Sequence, residues 1–212
     1  MTDSGSQHAL HSPHSDLHPS FQHDRFLVRR KVFVLLGAAV HTYDDTGEVV
    51  LFTKMKGLKL KEDISIFSDE KRSKELLRIR ARRVLDISSE YDVFDTSGGG
   101  EVLVGTLQRH GMKSMLRDEW GIYDANGDPI GMIQEEGAFL AIIRRFIDIV
   151  SAFLPQKYVF TIHGQEVGSM QQTYNPFIFK MTADFSSDPQ AVFDRRLAAA
   201  ASILLSVIEG KQ

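Results

Sequence analysis

Apolar and polar residues alternate along most of this chain in short runs, and the last run breaks the pattern. The alternating runs begin with Phe26–Val28, Val32–Leu36, Ala38–Tyr43, Val49–Phe52, Ile64–Phe67 and Leu76–Ala81. In the last of these, Leu77, Ile79 and Ala81 alternate with Arg78, Arg80 and Arg82, the period of two expected of a half-buried strand. Further runs follow at Tyr91–Phe94, Val102–Leu107, Met112–Leu116, Trp120–Tyr123, Ile130–Ile133, Tyr158–Ile162, Val167–Met170 and Phe177–Met181. Turn residues separate them, as in Asp44-Asp45-Thr46-Gly47 and Asp124-Ala125-Asn126-Gly127. About a dozen short strands at this spacing predict a sandwich or barrel.

Three segments share the form apolar-Gly-x-apolar-Gln: Val104–Gln108, Ile130–Gln134 and Val167–Gln171. Each follows a turn, so the repeated unit reads as a hairpin. Its glycine allows a bulge or the close approach of a neighbouring backbone.

Two segments carry a helical pattern. Phe139, Ile142, Ile143, Phe146, Ile147, Val150, Phe153 and Leu154 fall on one face at 3.6-residue spacing, and Pro155 ends the run, which predicts a helix lying against the outside of the sheet. The second begins with Ser187 or Asp188 as N-cap and Pro189 in the first turn. It continues into Leu197–Ile208, twelve residues without a charge, and Gly210 offers a stop. A helix apolar on every side must be surrounded. Twelve residues rise only about 18 Å against the roughly 30 Å of a bilayer core, so the strands are the expected wrapping. Asp194, Arg195 and Arg196 mark where this helix leaves solvent, with Asp194 near its positive start.

Composition changes the picture in three places. Residues 1–24 are rich in Ser and His with little to bury, which predicts a disordered tail, and residues 25–212 then form a single domain. Pro13 and Pro19 interrupt any helix that would bring the tail's five histidines together as ligands, so a solvated tail is expected rather than a metal site. Cysteine is absent, which excludes a disulfide framework and thiolate chemistry. With no leader pattern and no apolar run of spanning length, the expectation is a soluble cytoplasmic protein. The net charge of −3 hides an asymmetry: residues 25–83 sum to +7 and residues 84–212 to −7.

Motifs of known chemistry are missing. There is no Gly-x-Ser-x-Gly elbow, His-Glu-x-x-His pair, Walker loop or Gly-x-Gly-x-x-Gly after a strand, so no catalytic residue and no cofactor is assigned. Asp124, Asn126, Asp128 and Glu135 echo a calcium loop, but Pro129 stands where that loop needs glycine; a hairpin turn is the better reading. The informative set is basic. Lys54 and Lys56 lie in a lysine-rich stretch, and Arg78, Arg80 and Arg82 project from one face of one strand. Such a set either cradles a phosphorylated headgroup, because Arg forks fit phosphate and Lys adds charge, or is the solvated exterior of a barrel. Nucleic acid is not expected, since no aromatics interleave to stack bases.

The chain resembles the tubby C-terminal-like superfamily, which includes tubby, the LURP-one-related proteins and the phospholipid scramblases. The LURP-one-related branch is the nearest in texture. The residues that carry the likeness are Ala39-Val40-His41-Thr42-Tyr43-Asp44, Tyr91-Asp92-Val93-Phe94-Asp95, Trp120 to Gly127, and Asp194-Arg195-Arg196-Leu197. The resemblance implies a twelve-stranded closed antiparallel barrel around a hydrophobic C-terminal helix. It also implies a non-enzymatic binding module that meets an anionic phospholipid headgroup, such as a phosphoinositide, or a protein partner, with peripheral contact to a membrane. Lys54, Lys56, Arg78, Arg80 and Arg82 are the candidates for the headgroup. Two alternatives stand beside it. One is a scramblase-like membrane-acting protein, although the cysteine-rich segment of scramblases is missing and their acidic segment is matched only loosely by Asp184, Asp188 and Asp194. The other is an enzyme with an unrecognised site.

Overall fold

Successive side chains of a strand point to opposite faces, so the alternating runs dictate one apolar wall and one polar wall. A computed structural model describes residues 17–33, 37–55, 63–84, 89–110, 119–136, 155–173 and 178–208. Twelve strands carry the pattern: β1 Arg25–Phe33, β2 Gly37–Tyr43, β3 Val49–Met55, β4 Ile64–Phe67, β5 Glu75–Val84, β6 Ser89–Asp95, β7 Val102–His110, β8 Glu119–Asp124, β9 Pro129–Glu135, β10 Lys157–Ile162, β11 Gln165–Thr173 and β12 Phe179–Asp184. Each pairs antiparallel with its sequence neighbour, and β12 closes onto β1. The ring therefore has no free edge. The expected strand at Met112–Leu116, the outer helix at Phe139–Leu154, Gly210 and Lys56 lie outside the described residues.

The predicted terminal helix is α1, Arg195–Ile208. It touches β12, β1 and β2 on one side of the ring and β5, β6 and β7 on the other. Every residue of α1 except Arg196 is buried. The two serines bond back within the helix, Ser202 Oγ to Ala198 O at 2.9 Å and Ser206 Oγ to Ile203 O at 2.7 Å, so neither leaves a bare hydroxyl in the lumen. The last turn has carbonyls without helical partners. Arg30 of β1 points inward and donates from Nη1 to Val207 O at 3.0 Å; its burial lowers its pKa.

The helix starts later than its cap signals suggest. Ser187, Asp188 and Pro189 precede it in a turn, where Ala191 takes a left-handed φ of 53°. The Asp188 carboxylate accepts from Val192 N at 2.9 Å and Phe193 N at 3.0 Å. An Asx-type turn has thus outcompeted a helical first turn. Asp194 is the true cap: its Oδ1 accepts from Arg196 N at 2.9 Å and its carbonyl from Ala198 N at 2.9 Å.

The N-terminal boundary also shifts. Within the segment expected to be disordered, residues 17–24 are ordered, and η1, the 3-10 turn Pro19–Phe21, buries Phe21 to 1% exposure. Asp24 O accepts from Phe185 N at 2.7 Å, which pins the turn to the end of β12. Phe21 packs in the core cluster, and Asp24 also accepts from Arg195 Nη2 at 2.9 Å, so the segment is held beside the start of α1.

The repeated glycines have a single explanation. In register, Val104, Ile130 and Val167 have no partner across the hairpin, so each is the extra residue of a bulge and the glycine follows it. A bulge bends the strand toward its neighbour. A Cβ on Gly105 would lie 2.5 Å from Tyr123 O and 2.9 Å from Leu197 Cδ2 of the helix; on Gly168 it would lie 2.7 Å from Asp184 O. At Gly131 it would collide with Thr161 O. Gly105→Ala is therefore expected to cost about 1–3 kcal/mol, the range for overpacking. Gly98→Ala, facing open space, changes stability by less than about 0.5 kcal/mol. Urea unfolding of both variants checks the contrast.

Candidate functional site

The barrel exterior is where polar positions collect, because α1 fills the interior. On β5 the three predicted arginines do share the outer face, but carboxylates meet each of them. Arg78 donates Nε and Nη2 to the two Glu75 oxygens at 2.8 and 2.9 Å, and Nη1 to Glu101 at 2.7 Å. Arg80 shares Glu101 at 3.1 Å and reaches Asp63 at 3.4 Å. Arg82 forks onto Asp92, Nε at 3.0 Å and Nη2 at 2.9 Å, with Glu90 at 4.0 Å. The hydrogen bonds that Arg78 donates to Glu75, and Arg80 to Glu101 and Asp63, raise both guanidinium pKa values. Three guanidiniums thus face five carboxylates, and the stripe carries no excess positive charge.

Lys54 lies elsewhere, exposed on β3, and makes no ion pair among the described residues. The register places it in a different basic set. Lys31 of β1, Ala39 of β2 and Lys54 of β3 form one outward row. Lys180 of β12, Arg29 of β1, His41 of β2 and Phe52 of β3 form the next. The intervening Val28, Val40 and Met181 point into the core at 0% exposure, which fixes the outward sense of both rows. Arg29 makes no hydrogen bond or ion pair among the described residues; its Nε is buried without an acceptor, and its guanidinium lies 5.4 Å over the Tyr43 ring. Arg29 and Lys180 stand directly opposite each other, an arrangement of like charges that destabilises a sheet. Glu70 pairs with His41 Nε2 on this face at 2.6 Å.

Sequence reasoning singled out Lys54 and missed Arg29, Lys31 and Lys180. The alternation in Arg29-Arg30-Lys31 placed two charges on one face, but nothing in the order of residues brings Lys180 beside them. The calcium echo resolves into a turn: Asp124 Oδ1 accepts from Asn126 N at 2.9 Å and Asp128 N at 2.8 Å. Among the described residues no group of three or more His, Asp or Glu side chains could hold a metal ion.

A twelve-stranded closed antiparallel barrel wound around its own C-terminal helix defines the tubby C-terminal-like class. Within it the chain belongs to the LURP-one-related family, whose family model matches residues 49–205. No curated protein matches the chain. Among solved structures it is similar to the X-ray structure of a protein from Arabidopsis thaliana, at 11% identity and a TM-score of 0.48 over 92% of this chain and 97% of that one. Among the described residues no helix is long and apolar enough to cross a membrane.

Proposed function

We propose that this chain is a non-enzymatic binding module whose outer wall meets the anionic headgroups of phospholipids. The observation that carries this reading is the basic face of β12, β1, β2 and β3, where Lys180, Arg29, Lys31 and Lys54 stand together with no carboxylate partner among the described residues. The filled lumen supports it, since a ligand of any size must bind outside. So does the closure of the ring: a sheet without an edge offers no strand for a peptide to extend. Of the residues the sequence singled out, Lys54 belongs to this face. Arg78, Arg80 and Arg82 would have to exchange carboxylates for phosphate oxygens, so they act second. Release of α1 into lipid is the weaker alternative, because its 14 residues span about 21 Å and both ends are tied to the barrel through Arg30 and Arg195.

Sedimentation with phosphoinositide-containing vesicles tests the proposal. Binding is expected to weaken steeply with added salt, since exposed charges are screened. The Lys31→Ala/Lys54→Ala/Lys180→Ala variant should lose most of it, and the Arg78→Ala/Arg80→Ala/Arg82→Ala variant little. Equal pelleting with pure phosphatidylcholine, or an unchanged lysine variant, would refute it.

A further inference from the structure

We infer that His18 is a pH-operated latch: as the neutral imidazole it caps η1 and holds residues 17–24 beside the start of α1, and as the imidazolium it lets that segment go. The cap depends on one lone pair. His18 Nδ1 accepts from Ser20 N at 3.3 Å and stands 3.1 Å from Ser20 Oγ. In this role it replaces the side-chain oxygen of the usual capping residues. The oxygen of a Ser or Asn cap keeps its lone pairs at every physiological pH, whereas a protonated imidazole is a donor at both nitrogens. The Nδ1–H of the imidazolium would then meet the Ser20 N–H. Ser20 is buried, and a buried N–H left without an acceptor costs stability.

The surroundings oppose the charge as well. Burial first, and then the Lys74 ammonium of the turn before β5, lower the His18 pKa from its ordinary 6.5, and Asp95 at the end of β6 only partly offsets them. Asp95 is already engaged, accepting from Ser97 and from Arg196 Nη1 at 2.8 Å. Asp24, the acid on the segment itself, is held by Arg195. Linkage then sets the sign. Once released, His18 regains its ordinary proton affinity, so the open form binds the proton more tightly than the closed one. Closure is at full strength above about pH 6.5 and weakens as the pH falls through the lowered pKa. The other ties are few. Phe21 is seated in the core with its ring edge-on to His18 at 6.4 Å between centroids, and Asp24 reaches Phe185 N and Arg195. Segments with few bonds are the first part of a fold to open. Release bares the Phe21 seat beside the first turn of α1 and takes one of two carboxylates from Arg195. The latch works at the end of the barrel where α1 begins, whatever the outer wall binds.

Hydrogen exchange of the full chain tests the latch, read by mass spectrometry on the peptide covering residues 17–26 and corrected for the pH dependence of intrinsic exchange. The reporting amides are Phe21 N and Gln22 N, which donate to His18 O and Pro19 O. Their protection should fall roughly tenfold between about pH 7.5 and about pH 5, since one proton changes an opening constant by at most about tenfold per pH unit. Strand β10 should keep its protection over the same range. His18→Asn supplies a capping oxygen that does not titrate, so its protection should stay high and flat with pH. His18→Ala, with no acceptor, should sit about fivefold lower at neutral pH, the scale of a lost cap. Lys74→Gln leaves His18 intact and removes a neighbouring positive charge, so the midpoint should move to higher pH. Wild-type protection that stays flat down to about pH 5 overturns the latch. An equal fall in His18→Asn overturns it too, by assigning the change to another group. So does a fall shared equally by β10, which would be a loosening of the whole barrel.

Discussion

A chain ended after Asp194 is expected to lose cooperative unfolding in urea and to bind a hydrophobic dye. The reason lies in what α1 covers. A helix of 14 residues is a cylinder about 21 Å long and 10 Å across, with a lateral area of roughly 650 Å². Exposing the barrel wall that faces it costs about 16 kcal/mol at 25 cal/mol per Å². That matches or exceeds the 5–15 kcal/mol by which a domain of this kind is stable at all. The inward residues of the ring include Leu51, Ile66, Ile79 and Ile122, all at 0% exposure, so the emptied lumen presents a largely apolar wall to water, with Arg30 as an inward polar group. If the shortened chain shows the same urea midpoint as the full one, the helix is not the core and this account of the fold is wrong.

Arg195→Ala should lower stability by about 3–5 kcal/mol, the cost of removing one partner from a buried ion pair. Arg195 is completely buried at the first turn of α1. Its guanidinium donates from Nη1 to Asp188 Oδ2 at 3.0 Å, and from Nη2 to Asp24 Oδ1 at 2.9 Å, Phe185 O at 3.1 Å and Asp188 O at 2.8 Å. It also lies 5.5 Å over the Phe185 ring. One side chain therefore joins the η1 segment, the end of β12, the turn before the helix and the helix itself. Without it Asp188, only 3% exposed at the side chain, keeps two backbone donors but loses its counter-charge. Arg196→Ala breaks pairs with Asp95 at 2.8 Å and Asp194 at 2.6 Å, but these are nearer water and should cost about 1 kcal/mol. Chemical denaturation of the two variants gives the comparison. Equal small losses would mean that Arg195 is an ordinary surface charge, contrary to its geometry.

Much of this architecture was legible because it depends on local chemistry. Period-two alternation in β5 and the Asn126-Gly127 turn required no knowledge of distant residues. The apolar-Gly-x-apolar-Gln segments announced a close backbone approach, and each glycine does sit beside a bulge with a carbonyl against it. The misreadings came where two local signals competed. Pro189 and Asp188 look like the start of a helix, yet the same Asp188 closes a turn and anchors Arg195. Phe21 is one aromatic in a polar tail, and only the open end of a barrel gives it somewhere to go.

The candidate site was less legible than the fold, and the reason is electrostatic. A period of two places Arg78, Arg80 and Arg82 on one face but says nothing of what stands opposite. Glu101, 23 residues from Arg78, and Asp92, 10 residues from Arg82, join that stripe into a ladder of ion pairs. Conversely, Lys180 gains its meaning from Arg29, which closure of the ring sets across from it.

By itself the sequence determined the strands, their turns and the need to enclose a charge-free helix, because propensity and burial act within a few residues. Only the tertiary structure decided which charges are neutralised and which remain unpaired. Coulomb interactions are strong between neighbours in space, and in a ring closed by its first and last strands those neighbours come from opposite ends of the chain.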